Sequence, residues 1–287
     1  MSRGDGAEGM ARLRRVVEEI EARSGPADAR APPSKLSLTR ALDRALGGGL
    51  SGDGLHEIAP ARPGDEAAAM GFALALAAGF MAERGAAGLI LAEDFALCET
   101  GALYGPGLVA HGMELGRLVF VSVPDAPALF QAMEEALRSG ASAVVVGEAW
   151  NLKAYDLAVS RRLLLAARAG ATPALLIQAS AYGAASRLSS AAETRFEIAA
   201  APSARVASAG RGRALPGPPA FAARLVKARL TAAEGPPSGL DATKIFRLTW
   251  RSEDKTWRSE DQQFDEPTLS LPVAAASGER PRAQAAR

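Results

Sequence analysis

Five short apolar runs, Leu55–Ala59, Gly88–Ala92, Leu118–Val123, Ala143–Val146 and Ala174–Gln178, punctuate the chain, with helix-like stretches at about 65–84, 97–113, 125–138 and 153–169 between them. Strands that are apolar on both faces need cover on both. Their alternation with helices therefore specifies an α/β fold, a mostly parallel sheet flanked by helices. Three later runs, Arg195–Ala200, Ala222–Leu230 and Ile245–Trp250, have little helix between them and are expected as antiparallel strands at one edge. Apolar residues make up 48% of the chain but aromatics only 5%, so the core is built from small aliphatic side chains that let helices approach a sheet closely.

The flanks read differently. Residues 8–23 predict a helix with Met10, Leu13, Val16, Val17 and Ile20 on one stripe, ended by Gly25-Pro26 and a Pro/Ala linker. It packs on its own domain or docks on another chain, and Leu13, Val16, Val17 and Ile20 are the partner-binding candidates. The domain reading is an N-terminal helix and linker over 1–34, an α/β domain over 35–266, and a disordered Pro/Ala/Ser-rich tail over 267–287. A lone cysteine, Cys98, excludes an internal disulfide framework and a Cys-ligated zinc site. The N-terminus lacks a signal-peptide core, and the apolar segment Ala67–Met81 is short for a membrane span and closely flanked by charge. A soluble, cytoplasmic protein is expected.

The stretch Glu57-Ile-Ala-Pro-Ala-Arg-Pro-Gly-Asp-Glu66 begins as a phosphate-binding loop does, a strand turning through Pro and Gly into an apolar helix. Such a loop works through backbone N–H groups, a Lys charge and a Ser/Thr hydroxyl that holds magnesium. Pro60 and Gly64 remain, but Asp65 stands at the Lys position and Glu66 at the hydroxyl position. Two like charges at 4 Å repel by about 4 kcal/mol at moderate dielectric, so triphosphate binding should weaken by several powers of ten. Both acids also suit the first turn of a helix, where they oppose its macrodipole.

Other candidates are less specific. Glu93-Asp94, Gly147-Glu148 and Gln178 end strands, where ligands bind in open sheets, although carboxylates there also serve as helix caps. His56 and His111 stand apart from any metal-ligand cluster and read as structural, and Tyr104, Trp150 and Tyr155 form no stacking platform. Between Pro202 and Leu230 every charged residue is basic: Arg205, Arg211, Arg213, Arg224, Lys227 and Arg229. They are candidates for contacts with DNA or an acidic partner, or are simply solvated. The pentapeptide Trp-Arg-Ser-Glu-Asp occurs at 250–254 and again at 257–261, a repeat that suits a hairpin.

Taken together, Leu36–Ile58, which leads into the loop, the passage Leu89-Ile-Leu-Ala-Glu-Asp94, and the strand ends Val144-Val-Val-Gly-Glu148 and Leu175-Leu-Ile-Gln178 resemble the corresponding segments of RecA recombinases. The resemblance spans roughly 36–250 and would put a catalytic glutamate on Glu93 and a nucleotide-sensing glutamine on Gln178. Within it, Leu129–Glu148, above all Glu-Ala-Leu-Arg-Ser-Gly140, together with Tyr104-Gly-Pro-Gly-Leu108, is similar to the ImuA/SulA-like branch and to the ImuA family of inducible-mutagenesis proteins. That resemblance implies a RecA-like fold without catalysis, cofactor or metal. It also implies a DNA-damage role in translesion synthesis beside ImuB and an error-prone C-family polymerase, with RecA or a second copy as further partners. The SulA side of the branch implies instead an inhibitor of cell division, and retained Glu93, Glu148 and Gln178 would suit a weak ATP-dependent DNA-binding protein. A recombinase is not expected: the segment 179–192, in the place of a DNA-binding loop, carries one charge, Arg187, and cannot neutralise several phosphates.

Overall fold

The computed structural model describes residues 35–182, 189–207, 214–229 and 241–259. The helix expected over 8–23 with Leu13, Val16, Val17 and Ile20, the tail after 267, and Arg187, Arg211 and Arg213 lie outside the described residues.

An antiparallel pair, β1 (Lys35–Leu36) and β2 (Leu50–Ser51), brackets the short helix α1 (Arg40–Ala45), whose N-cap Thr39 accepts from the Leu42 N–H. The central strand β3 (Leu55–Pro60) then leads through the loop into α2 (Glu66–Arg84), which stops at Gly85 in the left-handed conformation, φ 69°. There follow β4 (Gly88–Glu93), α3 (Asp94–Thr100), α4 (Gly105–Ala110), β5 (Leu118–Val123), α5 (Ala126–Ser139), β6 (Val144–Ala149), α6 (Leu157–Gly170) and β7 (Ala174–Gln178). The chain ends its described part in strands: β8 (Thr194–Ala200), β9 (Arg205–Ala207), β10 (Ala214–Pro216), β11 (Ala220–Ala228), β12 (Ile245–Arg251) and β13 (Thr256–Ser259).

Nine of these strands form one sheet in the order β13-β12-β11-β8-β3-β7-β6-β4-β5. From β8 to β5 every neighbouring pair is parallel, while β11, β12 and β13 add antiparallel strands beyond β8. The α/β architecture expected from the alternation is therefore present. On one face α2 buries Phe72, Leu76 and Phe80 against Ile58, Ile90, Val146 and Ile177. On the other, α5 and α6 bury Leu129, Met133, Leu137, Leu163 and Ala167 against Leu55, Leu89, Val145 and Leu176. The small residues matter here: a Cβ on Gly170 of α6 would lie 1.6 Å from the Leu137 carbonyl oxygen of α5, so the two helices touch backbone to backbone. α2 has the length and hydropathy of a membrane span, but it is the helix buried in this core.

Four details depart from the sequence reading. β8, expected as an antiparallel edge strand, runs parallel to β3, because the segment after β7 crosses back to the start of the sheet on the far side of β3. The helix expected over 97–113 is split into α3 and α4, since Gly101 at φ 78° ends the first and Pro106 opens the second. Two strands, β9 and β10, pair antiparallel inside 202–220, which read as a loop. The helix expected from 153 begins at Leu157, capped by the Asp156 carboxylate on the Val159 N–H, after a 3-10 turn at Leu152–Ala154.

The repeated pentapeptide does form a hairpin. Trp250 of β12 stands opposite Trp257 of β13, with ring centroids 5.1 Å apart. Phe72 of α2 meets Trp257 at 5.2 Å, Phe196 at 5.5 Å and Phe221 at 5.7 Å, so one aromatic cluster fastens the antiparallel strands to the parallel half. The Trp250 indole N–H donates to the His111 carbonyl at 2.9 Å, whereas that of Trp257 is buried with no acceptor. Trp250→Phe should thus cost more than Trp257→Phe, by about 1 kcal/mol for the orphaned carbonyl and lost bond, as read by urea unfolding. Equal losses would mean that the Trp250 hydrogen bond adds nothing.

Candidate functional site

The loop between β3 and α2 is sewn to β8 at both ends. Ala61 N–H donates to the Ile198 carbonyl at 2.8 Å, and the Asp65 carboxylate accepts from Ala200 N–H at 3.0 Å. Asp65 is buried at the start of α2 and makes no side-chain cap on it. Its second oxygen lies 3.5 Å from Arg62 Nε. The carboxylate at the lysine position therefore serves as a clasp between loop and sheet.

Glu66 opens α2. Partial burial alone would push its carboxyl up. Hydrogen bonding from the Tyr182 hydroxyl and from the backbone N–H groups of Glu66 and Gly64 outweighs this and holds it below the usual carboxylate range. Gly64 turns the loop at φ +96°, in the left-handed region. The bond to Glu66 raises the Tyr182 phenol.

At the neighbouring strand ends, Glu93 accepts from the N–H groups of Trp150 at 2.8 Å and Asn151 at 3.2 Å, and makes no cap on α3. Burial pushes the Glu148 carboxyl up, and the nearby Glu93 charge adds to this, against a 3.1 Å bond from the Trp150 indole that lowers it. The Trp150 ring stands edge-on to Phe95 at 5.6 Å. Both acids thus brace the short connection after β6 where a recombinase would carry a DNA-binding loop. Gln178 is fully buried, and among the described residues neither atom of its amide finds a partner. No group of three or more potential metal-ligating side chains occurs among the described residues.

Both histidines are structural, as their isolation suggested. His56 Nε2 donates to the Ser51 carbonyl at 2.9 Å and Nδ1 accepts from the Thr194 hydroxyl at 2.8 Å; burial keeps the ring below its ordinary pKa. His111 bonds the Gly71 carbonyl at 2.8 Å. Tyr155 and Trp150 are committed to the interior and to Glu148, and Tyr104 is exposed, so the three form no platform.

Below the loop lies a network that the sequence reading missed. Glu57 of β3 stands opposite Arg195 of β8, both almost wholly buried, with Arg195 Nε 2.5 Å from a Glu57 oxygen. The Tyr155 hydroxyl donates to the other oxygen. Arg195 and Lys227 both donate to the Ser190 hydroxyl, at 2.8 and 3.2 Å, and Lys227 also reaches the Ser190 carbonyl at 2.8 Å. Burial brings Lys227 down to about 8, with Arg229 and Arg195 lowering it further and Glu57 opposing. The signal was present: Glu57 and Arg195 are charges in runs that are mostly apolar, Leu55–Ala59 and Arg195–Ala200.

The basic series of 202–230 is correspondingly divided. Arg224 pairs with Glu197, Lys227 is drawn into the buried network, and Arg229 is exposed. Arg205 has its backbone in β9, and Arg211 and Arg213 lie outside the described residues. The acids absent from the series itself, Glu197 and Glu57, come from β8 and β3.

No family model matches this chain, and no curated protein does. Among solved structures, the crystal structure of SulA from Pseudomonas aeruginosa is similar at 21% identity and a TM-score of 0.35, over 44% of this chain and 97% of that one. At that TM-score nothing about this chain rests on the likeness. The fold and the site define an α/β protein whose phosphate-type loop is closed by its own acids.

Two outcomes test the network. Arg195→Met alone leaves Glu57 buried without its cation and should cost about 3–5 kcal/mol, while Glu57→Met with Arg195→Met should recover a large part of that loss. A double variant no more stable than the single one would show that the pair itself carries the stability. For Lys227, the folded pKa lies below the unfolded value of 10.5, so the unfolded chain binds more protons between about pH 8 and 10.5. Stability relative to Lys227→Met should therefore rise with pH across that window, and a flat difference would mean that the ammonium is freely hydrated.

Proposed function

We propose that this chain is a non-catalytic accessory protein that uses a RecA-like fold as a scaffold for protein contacts. The observation that carries this reading is the Asp65 carboxylate at the lysine position, buried and bonded to the Ala200 N–H of β8 at 3.0 Å. A γ-phosphate would have to approach that carboxylate and, beside it, the Glu66 charge at the start of α2. Each requirement opposes nucleotide. The roles of Glu93 and Glu148 in bracing the chain after β6 support the same reading, since neither is left poised for a water or a magnesium ion.

The partners follow from the family resemblance: ImuB and an error-prone C-family polymerase in damage-induced translesion synthesis, with the apolar stripe of residues 8–23 as the docking element. Arg229 and the series Arg205, Arg211 and Arg213 are the surface offered to DNA or to an acidic partner.

Millimolar Mg-ATP should leave the melting temperature of the full chain unchanged. Ligand at 100 times its Kd would add ~2.7 kcal/mol, a shift of several degrees in a domain of this size. Such a shift, lost in Gly64→Trp, would sink the scaffold reading. Asp65→Lys alone should not create an ATPase, because Glu66 still stands where the Ser/Thr hydroxyl is needed. In pull-downs, ImuB should be captured by the wild type and lost with Val16→Asp/Ile20→Asp. Capture of the tubulin-like division protein in its place would reverse the assignment.

A further inference from the structure

The antiparallel extension β11-β12-β13 has two unlike faces. Phe221, Phe246, Leu248, Trp250 and Trp257 turn toward α2 and are buried. Side chains alternate along a strand and opposed residues share a side. Arg224 of β11, Arg247 and Arg251 of β12, and Arg258 of β13 therefore stand together on the other face. Over β3, β4, β6 and β7 that face is covered by α5 and α6, but no side chain buried beneath those helices comes from β11, β12 or β13. Arg258 is exposed, and the Arg224 and Arg251 side chains are 40% and 37% exposed.

Register also sets the spacing of the four. Arg224 stands opposite Ile245, two residues from Arg247, and Arg258 stands opposite Thr249, midway between Arg247 and Arg251. Each arginine is thus the diagonal neighbour of the next, about 7–8 Å away, in the order Arg224, Arg247, Arg258, Arg251. Two acids meet this track: Glu197, buried beside Arg224, and Asp254, 3.6 Å from Arg251. The turn beyond adds one charge of each sign, Glu253 and Lys255. Four guanidiniums against two carboxylates leave this face positive, on a chain whose formal charge is only +1.

We infer that the open face of β11-β12-β13 binds the phosphodiester backbone of a nucleic acid. A planar guanidinium presents two parallel N–H donors to one phosphate. A zigzag of four at even spacing suits a polyanion whose charges repeat evenly. The surface of an acidic protein has no such repeat. Every described ring on these three strands faces α2, so no base stacks here and the contacts carry no sequence information. With Arg224 held by Glu197, about three phosphates are engaged. The inference stands apart from the scaffold reading, since it requires neither the closed loop nor a protein partner.

A fluorescein-labelled DNA duplex titrated with the full chain tests it by anisotropy. Binding should weaken roughly fortyfold between about 50 and 200 mM salt, the slope of about three contacts, and should not change when the duplex sequence is scrambled. Arg247→Gln and Arg258→Gln should each weaken it about tenfold at the lower salt and reduce the slope by about one. Arg258→Lys, which keeps the charge, should retain most of the affinity. Arg161→Gln, at an exposed position on α6, should retain all of it. Circular dichroism of the Arg258 variants should match the wild type, because that side chain lies in solvent. No binding at the lower salt overturns the proposal, as does binding that survives both glutamine substitutions. Loss in Arg211→Ala/Arg213→Ala alone would move the contact to that series and exclude the sheet face. Displacement of the duplex by an equal charge concentration of poly-L-glutamate would make the occupant an acidic protein and overturn the nucleic-acid assignment.

Discussion

The buried pair of Glu57 and Arg195 joins the two halves of the sheet. Glu57 lies on the strand that opens the loop, and Arg195 on the strand from which the antiparallel extension grows. An ion pair with both members this deeply buried contributes little over an apolar pair, but it penalises any pairing that separates the charges. A one-residue slip of β8 on β3 would turn Arg195 into the α2 face beside Phe72, turn Phe196 out of it, and leave Glu57 alone. The pair therefore fixes the register on which the loop's bonds to Ile198 and Ala200 depend.

From that register the closed loop follows. Asp65 can clasp Ala200 only because β8 runs parallel beside β3 and delivers that N–H at the height of the loop. Glu66 follows at the first position of α2, so the helix carries acids at its N-terminus, where they interact favourably with its dipole.

Much of this was legible in the sequence. The α/β class, the buried helix, the reversed charge at 65 and 66, the structural histidines and the Trp hairpin were readable, because strand runs, caps and turn residues are local signals. Three features were not. The parallel direction of β8 depends on where the connection after β7 crosses the sheet, and no local pattern encodes that. Glu93 read as a helix cap and Asp65 as a charge suited to the helix dipole; the partners of their side chains, Trp150–Asn151 and Ala200, are far away in sequence. The basic series between 202 and 230 looked unpaired because its anions, Glu197 and Glu57, sit on other strands.

The hairpin at 250–259 places one pentapeptide in two situations. Trp250 closes a strand and its Arg-Ser-Glu-Asp enters the turn, where Arg251 lies 3.6 Å from Asp254. Trp257 begins the next strand, and its Arg258 stands opposite Thr249. Among the described residues Trp-Arg is strand in both copies, while the serine that follows lies in the turn at 252 and in the strand at 259. The two copies are also seven residues apart (250 and 257), and loss of one repeat unit by slippage would keep the reading frame. It would delete a whole edge strand and bare the phenylalanines of the core: a silent-looking contraction of the gene that the protein could not absorb.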